Sequence, residues 1–210
     1  EVSPDGNLLA FSSDTTGFRE YTVQVKDLRT GKLLAVRIPK ARSLAWASDN
    51  RTLFYVREDD AKRAHRLYRH VLGEKDDALI YEEVDARFSI SVARARNHAY
   101  LFLTSHSATT SEVRYLAADA PQSAFTLLAQ RRPGHEYYVE HGHGLFYIVT
   151  NDKGRNFRLA TAPVADPSPA GWKEVIAHRE DVMLEGVDVF ARHLVAHERA
   201  GGFPRLRVIR

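Results

Sequence analysis

Three features of the sequence predict an all-β fold of repeated antiparallel sheets: a phrase that recurs about every 45 residues, four strand-like segments in each period, and no convincing long amphipathic helical pattern. The phrase is a turn pair, then four to six apolar or alternating residues, then a polar cluster. It reads SPDGNLLAFSSD from Ser3, ASDNRTLFYVRED from Ala47, RARNHAYLFLTSHS from Arg94, EHGHGLFYIVTND from Glu140 and VFARHLVAHERA from Val189. Anchored on Leu9, Leu53, Tyr100, Leu145 and Leu194, the copies stand 44, 47, 45 and 49 residues apart. In the best-preserved period the strand segments are SLAWA (Ser43 to Ala47), TLFYV (Thr52 to Val56), LYRHVL (Leu67 to Leu72) and LIYEE (Leu79 to Glu83). All are rich in β-branched, aromatic and aliphatic residues and bounded by turn formers. The next period repeats the scheme as SISVA, AYLFLT, EVRYLA and FTLLA.

Four antiparallel strands per repeat, repeated radially, is the β-propeller architecture, which leaves only short, protected edges. The expected blades span residues 1–39, 40–84, 85–130, 131–178 and 179–210. EVSPDG at the start reads as the tail of an innermost strand, and PRLRVIR at the end as a third strand with no fourth. The expectation is therefore about three complete blades flanked by two incomplete ones, part of a larger ring.

Composition narrows the chemistry. The 210 residues hold 30 Lys and Arg against 27 Asp and Glu, a net charge of +3, and no cysteine. Disulfides, thiolate metal sites and a Cys nucleophile are excluded. The charges are interspersed, as in REDDAKRAHR from Arg57, which favours a mixed solvated surface over a nucleic-acid-binding stripe. No stretch reaches the length a membrane helix needs, and the N-terminus lacks a signal-peptide pattern. The expected setting is cytoplasmic, with neither membrane nor nucleic acid as a partner.

Specific site motifs are missing or incomplete. The polar cluster TNDKGRN from Thr150 lacks phosphate-loop spacing and sits where every period carries a polar loop, between its second and third strands. It is expected to be a hairpin turn. No Gly-x-Ser-x-Gly elbow is present, so a catalytic triad is not expected. HEYYV at His135 ends in Val139 where a zinc motif needs His, HGH at His141 lacks a third ligand nearby and reads as a tight turn, and SPDGN lacks the remaining ligands of a calcium loop. No metal and no cofactor are expected. Trp46, Tyr55, Phe102, Tyr137 and Phe146 fall in strand segments and are assigned to the core.

Strand alternation places the hairpin loops and the blade-joining loops at one end of the blades. The joining loops EEVDAR (Glu82 to Arg87), RRPGHE (Arg131 to Glu136) and HREDV (His178 to Val182) are charged, as suits a surface that meets a ligand or partner.

The ordered set SPDGNLLAFSSDTTGFREYTVQVKDLRTGKLL, LFYVREDDAKRAHRLYRHVLG, SHSATTSEVRYL and TNDKGRNFRL resembles the propeller domain of the oligopeptidase B branch of the prolyl oligopeptidase family of serine peptidases. The resemblance spans essentially the whole chain. It implies a seven-bladed propeller stacked on an α/β-hydrolase domain that holds the Ser-Asp-His triad, and cleavage of short peptides after Lys or Arg. The catalytic domain and the acidic specificity pocket lie outside these residues. The resemblance further implies that the loops help form an interdomain or substrate channel. The candidates are Tyr81, Glu82, Asp85, Arg87, Arg131, Arg132 and Arg179 in and beside the joining loops, and Asp59, Arg63, Glu112 and Asn156 in the hairpin loops. The expected function is a non-catalytic, substrate-gating propeller, its partners the hydrolase domain of the same full-length chain and short basic peptides. A stand-alone propeller used as a protein-interaction module is the alternative.

Overall fold

The computed structural model describes residues 1–210 and forms five antiparallel sheets. The first contains β1 (Leu8–Ser13), β2 (Thr22–Asp27) and β3 (Leu33–Pro39). The second is β4 (Ala41–Trp46), β5 (Thr52–Glu58), β6 (Ala64–Val71) and β7 (Ala78–Glu82). The third is β8 (Ser89–Arg94), β9 (Tyr100–His106), β10 (Ser111–Ala117) and β11 (Thr126–Leu127). The fourth is β12 (Tyr137–Gly142), β13 (Leu145–Thr150), β14 (Arg158–Pro163) and β15 (Lys173–Ile176), and the fifth is β16 (Val182–Val189), β17 (Leu194–Ala200) and β18 (Phe203–Ile209). The only helical element is the 3₁₀ turn Pro169–Gly171. Strands within each sheet follow chain order, as in propeller blades, and the two three-stranded sheets are the first and last.

The chain divides into two compact units, residues 1–94, 98–105 and 115–125 in one and residues 95–97, 106–114 and 126–210 in the other. In the first unit one core joins Ala45, Phe54, Val56 and Leu67 of the second sheet to Ile90, Val92, Leu101 and Leu103 of the third. Another joins Ala10, Val23 and Val25 of the first sheet to Trp46, Leu53 and Tyr55 of the second. In the second unit Val149, Leu159 and Ile176 pack against Leu184, Leu194 and Ala196. β5 faces apolar neighbours on both sides, so its residues from Thr52 to Val56 are all buried and its sequence reads as a continuous apolar run. The five aromatics assigned to the core are all buried.

Local sequence accounts for the turns. In SPDGN, Ser3 donates its hydroxyl to Asp5 Oδ1 at 2.6 Å, and the amide of Asn7 donates to the same oxygen at 3.0 Å. This turn brings Val2 into an antiparallel bridge with Leu9. Between β17 and β18 the connection is only Gly201-Gly202, both with positive φ (57° and 83°), as a tight hairpin demands.

Two expectations are corrected. FTLLA forms a strand only at Thr126 and Leu127. Phe125 instead packs edge-on against Phe54, ring centroids 5.5 Å apart, and the Ala129 carbonyl accepts the Tyr137 hydroxyl at 2.6 Å, which draws the chain out of the sheet. HGH is a turn only at His143-Gly144. His141 lies within β12, its Nδ1 2.8 Å from the Asn97 amide nitrogen, whereas His143 Nε2 donates to the Phe190 carbonyl at 3.0 Å.

Phe54→Ala, which opens a cavity in the first unit's core, is expected to cost about 3–5 kcal/mol of stability, whereas Leu79→Ala at a half-exposed position should stay within about 0.5 kcal/mol. Urea unfolding of the intact protein measures both, and equal costs would contradict this packing.

Candidate functional site

The hairpin loops between second and third strands, and the links from each fourth strand to the next sheet, leave the blades at one end. In the first unit this end carries residues 14–21, Lys40, residues 59–63 and residues 83–88. In the second it carries residues 107–110, 128–136, 151–157, 177–181 and 201–202. TNDKGRN is the hairpin loop between β13 and β14, as its position in the repeat predicts.

In the first unit Arg63 reaches from its hairpin into the joining loop. One guanidinium nitrogen donates to the carbonyls of Glu83 (3.1 Å), Asp85 (3.3 Å) and Phe88 (3.2 Å). Asp59 accepts the Arg63 backbone amide at 2.9 Å, and this bond, against a smaller opposing effect of burial, holds its carboxyl below the usual range. The joining loop is also tied internally. Tyr81 donates its hydroxyl to Glu83 at 3.1 Å, the Asp85 amide donates to the other Glu83 oxygen, and Arg87 grips Asp85 with a closest approach of 2.6 Å. Arg87 still projects into solvent, 81% exposed along its side chain. Glu82 pairs instead with Arg66 across the β6–β7 ladder at 2.9 Å. Phe18 and Val84, apolar side chains 77% and 86% exposed, lie in a hairpin loop and the joining loop at the same end.

The second unit uses the same device with different residues. Asn156 donates its amide to the carbonyls of Arg179 (2.9 Å) and Glu180 (2.8 Å). Asn151 accepts the Glu136 amide at 2.9 Å and donates to the Gly134 carbonyl at 3.0 Å, while Thr110 accepts the Gly134 amide at 3.1 Å. Glu112 is buried and bonded to Arg114 (2.5 Å) and to both the backbone and guanidinium of Arg131 (3.1 Å each). Burial pushes its carboxyl up, but the Arg131 hydrogen bonds and the charge of Arg114 outweigh that and hold it below the usual value. Buried Glu198 binds Arg179 and Arg207 in a similar way. Arg132 is exposed and its side chain makes no hydrogen bond or ion pair; it lines a shallow depression of about 350 Å³ with His135 and Asp152.

The structure thus joins Arg63 and Asp59 to the loop bearing Asp85 and Arg87, Glu112 to Arg131, and Asn156 to the backbone of Arg179. It leaves Tyr81 and Glu82 in local pairs and Arg132 free. The sequence reading missed Asn151, Thr110, Glu198 and the exposed Phe18 and Val84. For Glu198 a signal existed: Leu194, Ala196, Glu198 and Ala200 occupy alternate, inward-facing positions of β17, so an acid stands in an apolar register. Asn151 carried no comparable mark, because asparagine in a turn is ordinarily explained by the turn itself.

The sequence matches the family model described as prolyl oligopeptidase, N-terminal beta-propeller domain, over residues 1–210. The chain belongs to this family. Dipeptidyl aminopeptidase BI of Pseudoxanthomonas mexicana is 40% identical over 215 residues, covering 100% of this chain and 30% of that protein. Protease 2 of Moraxella lacunata is 32% identical, covering 99% of the chain and 31% of the protein. Among solved structures, oligopeptidase B from Leishmania major superposes with a TM-score of 0.91 at 30% identity, over 99% of this chain and 30% of that one. Oligopeptidase B from Trypanosoma brucei, in a closed form with covalently bound antipain, gives 0.88 at 27% identity, over 100% and 30%. This prolyl oligopeptidase-family propeller segment therefore spans less than a third of the length of these relatives, which accounts for an all-β chain without a nucleophile elbow.

Two outcomes are expected from the loop ties. Arg63→Met should raise amide hydrogen exchange at Asp85 to Phe88 and cost about 1–3 kcal/mol, because three buried or half-buried carbonyls lose a charged donor; unchanged exchange would show that the loop holds itself. Glu112 has a folded-state pKa below its ordinary 4.5, so its stabilisation is complete above that value and lost as pH falls through the folded pKa. The stability difference between the parent and Glu112→Gln should therefore shrink on acidification below about pH 4.5 in denaturation series.

Proposed function

We propose that this chain is the non-catalytic, substrate-gating part of the propeller of an oligopeptidase B-like serine peptidase that cleaves short peptides after Lys or Arg. The observation that carries the reading is the end-to-end family match, joined to high structural similarity with two oligopeptidase B structures. The partner is an α/β-hydrolase domain of the same full-length chain, and the setting is the cytoplasm.

The loop-bearing ends of the blades suit this role physically. Their backbone is braced by Arg63, Asn151 and Asn156, so the outward groups stand on firm supports. Asp59 and Asp85, each in an ion pair with an arginine, Arg63 and Arg87, add only local negative charge for cationic peptides, while Arg132 supplies a cation suited to acids of a facing domain or to a peptide carboxylate. Exposed Phe18 and Val84 add apolar surface for such a contact. The substrate-channel roles of the eleven candidate loop residues belong to this proposal.

The name of the relative from Pseudoxanthomonas mexicana supplies a second reading, dipeptidyl aminopeptidase activity, for the whole protein. Two chromogenic substrates separate the readings when tested on the intact protein: an N-blocked peptide ending in Arg, and a dipeptide with a free amino terminus. Turnover of the blocked substrate supports the oligopeptidase reading. Exclusive turnover of the unblocked dipeptide supports the aminopeptidase, and no turnover of either would remove both.

A further inference from the structure

The braces at the loop-bearing end of the second unit converge on one histidine. His135, just before β12, is 5% exposed, its ring stacked on Tyr137 at a centroid distance of 5.3 Å and tilted against Trp172 at 6.2 Å. Its Nε2 stands 2.9 Å from the hydroxyl of fully buried Thr150, the last residue of β13. That hydroxyl also accepts the Asp152 amide at 3.3 Å, so the imidazole is joined to the start of the hairpin loop. The backbone of His135 is engaged as well: its carbonyl accepts the Ser111 amide at 3.0 Å, and its amide donates to the Arg132 carbonyl at 3.0 Å. On either side, Gly134 is held by Thr110 and Asn151, and Glu136 by Asn151. The ring thus anchors residues 132–136 against residues 151–157.

The slot suits a neutral ring only. Nδ1 is buried and has no hydrogen-bond partner. Whichever nitrogen carries the hydrogen of the neutral ring, the imidazolium has an N–H at Nδ1, and the aromatic rings on its faces offer that in-plane donor no acceptor. The surrounding charges give little help. Arg132, on the joining loop, repels a second cation, and Asp152, on the hairpin, is already gripped through both oxygens by Arg158 at 2.7 and 2.8 Å. Tyr137 stays neutral, its phenol pushed up to about 12 by burial and its hydroxyl donated to the Ala129 carbonyl. Burial first and Arg132 second outweigh the attraction of Asp152 and hold His135 below its ordinary 6.5.

We propose that His135 is a proton-controlled latch at this loop-bearing end. Neutral, it locks residues 132–136 to residues 151–157; protonated, it leaves its slot and releases them while the sheets beneath stay folded. A closed loop that excludes the proton and an open loop that binds it at the ordinary value make closure complete above pH 6.5 and weaker as pH falls below it. The open fraction then grows by up to about tenfold per pH unit until the folded value is reached. The latch is independent of the peptidase reading, since every group in it belongs to this chain and its action is conformational.

The test is amide hydrogen exchange of the intact protein on acidification from neutral pH, corrected for the intrinsic rate, with an NMR titration of its ¹⁵N-labelled histidine rings. The Gly134, Glu136 and Asn151 amides should open more often, by up to about tenfold per pH unit below 6.5, in step with His135, while the buried strand residues Ile148 and Leu159 hold steady. His135→Gln, which keeps an amide for Thr150, and His135→Phe, which keeps the stack on Tyr137, should each lose this response. His143→Gln, at an exposed histidine outside the slot, should retain it. The proposal is overturned if His135 titrates at or above 6.5, if the loop amides open no more than Ile148 and Leu159, or if either folded His135 variant keeps the response.

Discussion

Face-to-face burial of one antiparallel sheet against the next is the constraint on which this chain depends. A four-stranded sheet of short strands cannot bury enough surface alone, so its inner strands must be apolar on both faces and find a neighbour for each. β5 meets this demand most completely, with Phe54 and Val56 in one core and Leu53 and Tyr55 in another. Its alternating side chains thus tie the second sheet to the third on one side and to the first on the other. In β18, by contrast, Phe203, Leu206 and Val208 are largely exposed.

Because packing holds the strands, the loops can vary, yet they are braced rather than free. Three of the joining loops receive a side chain from a nearby hairpin: Arg63 on residues 83–88, Asn151 on residues 134–136, Asn156 on residues 179–180. Different chemistry meets the same need, since backbone carbonyls that leave a sheet still require donors. Buried Glu112 and Glu198 work in the opposite sense, each gathering two arginines whose charge compensates for burial. Several residues that the sequence marks as outward-facing charges therefore have structural duties first, and the surface offered to a partner is narrower than the charge count suggests.

The same economy of polar groups distinguishes the two ends of the blades. At the loop-bearing ends most charges are already paired, and contact with another domain would draw on Arg132, Phe18, Val84 and the exposed side of the Arg87–Asp85 pair. At the opposite end, where β6 turns into β7, His70 is held through Asp77 and Tyr55.

The sequence by itself determined the repeat, the all-β class, the order of strands and the incomplete first and last blades, because a side-chain period of two and turn residues at regular spacing are local properties of the chain. Trp46, Tyr55 and Tyr137 were legible as core for the same reason, and the inward acid Glu198 was legible in principle. Only the tertiary structure decided that FTLLA leaves its sheet after two residues, since that turns on Phe125 meeting Phe54 and on the Tyr137 hydroxyl reaching Ala129. It alone decided which charges are spent on neighbouring loops and which stand free. Arg63 and Arg132 carry the same local marks of a polar loop, and what separates them is whether carbonyls of a loop some twenty residues onward lie within reach of the guanidinium.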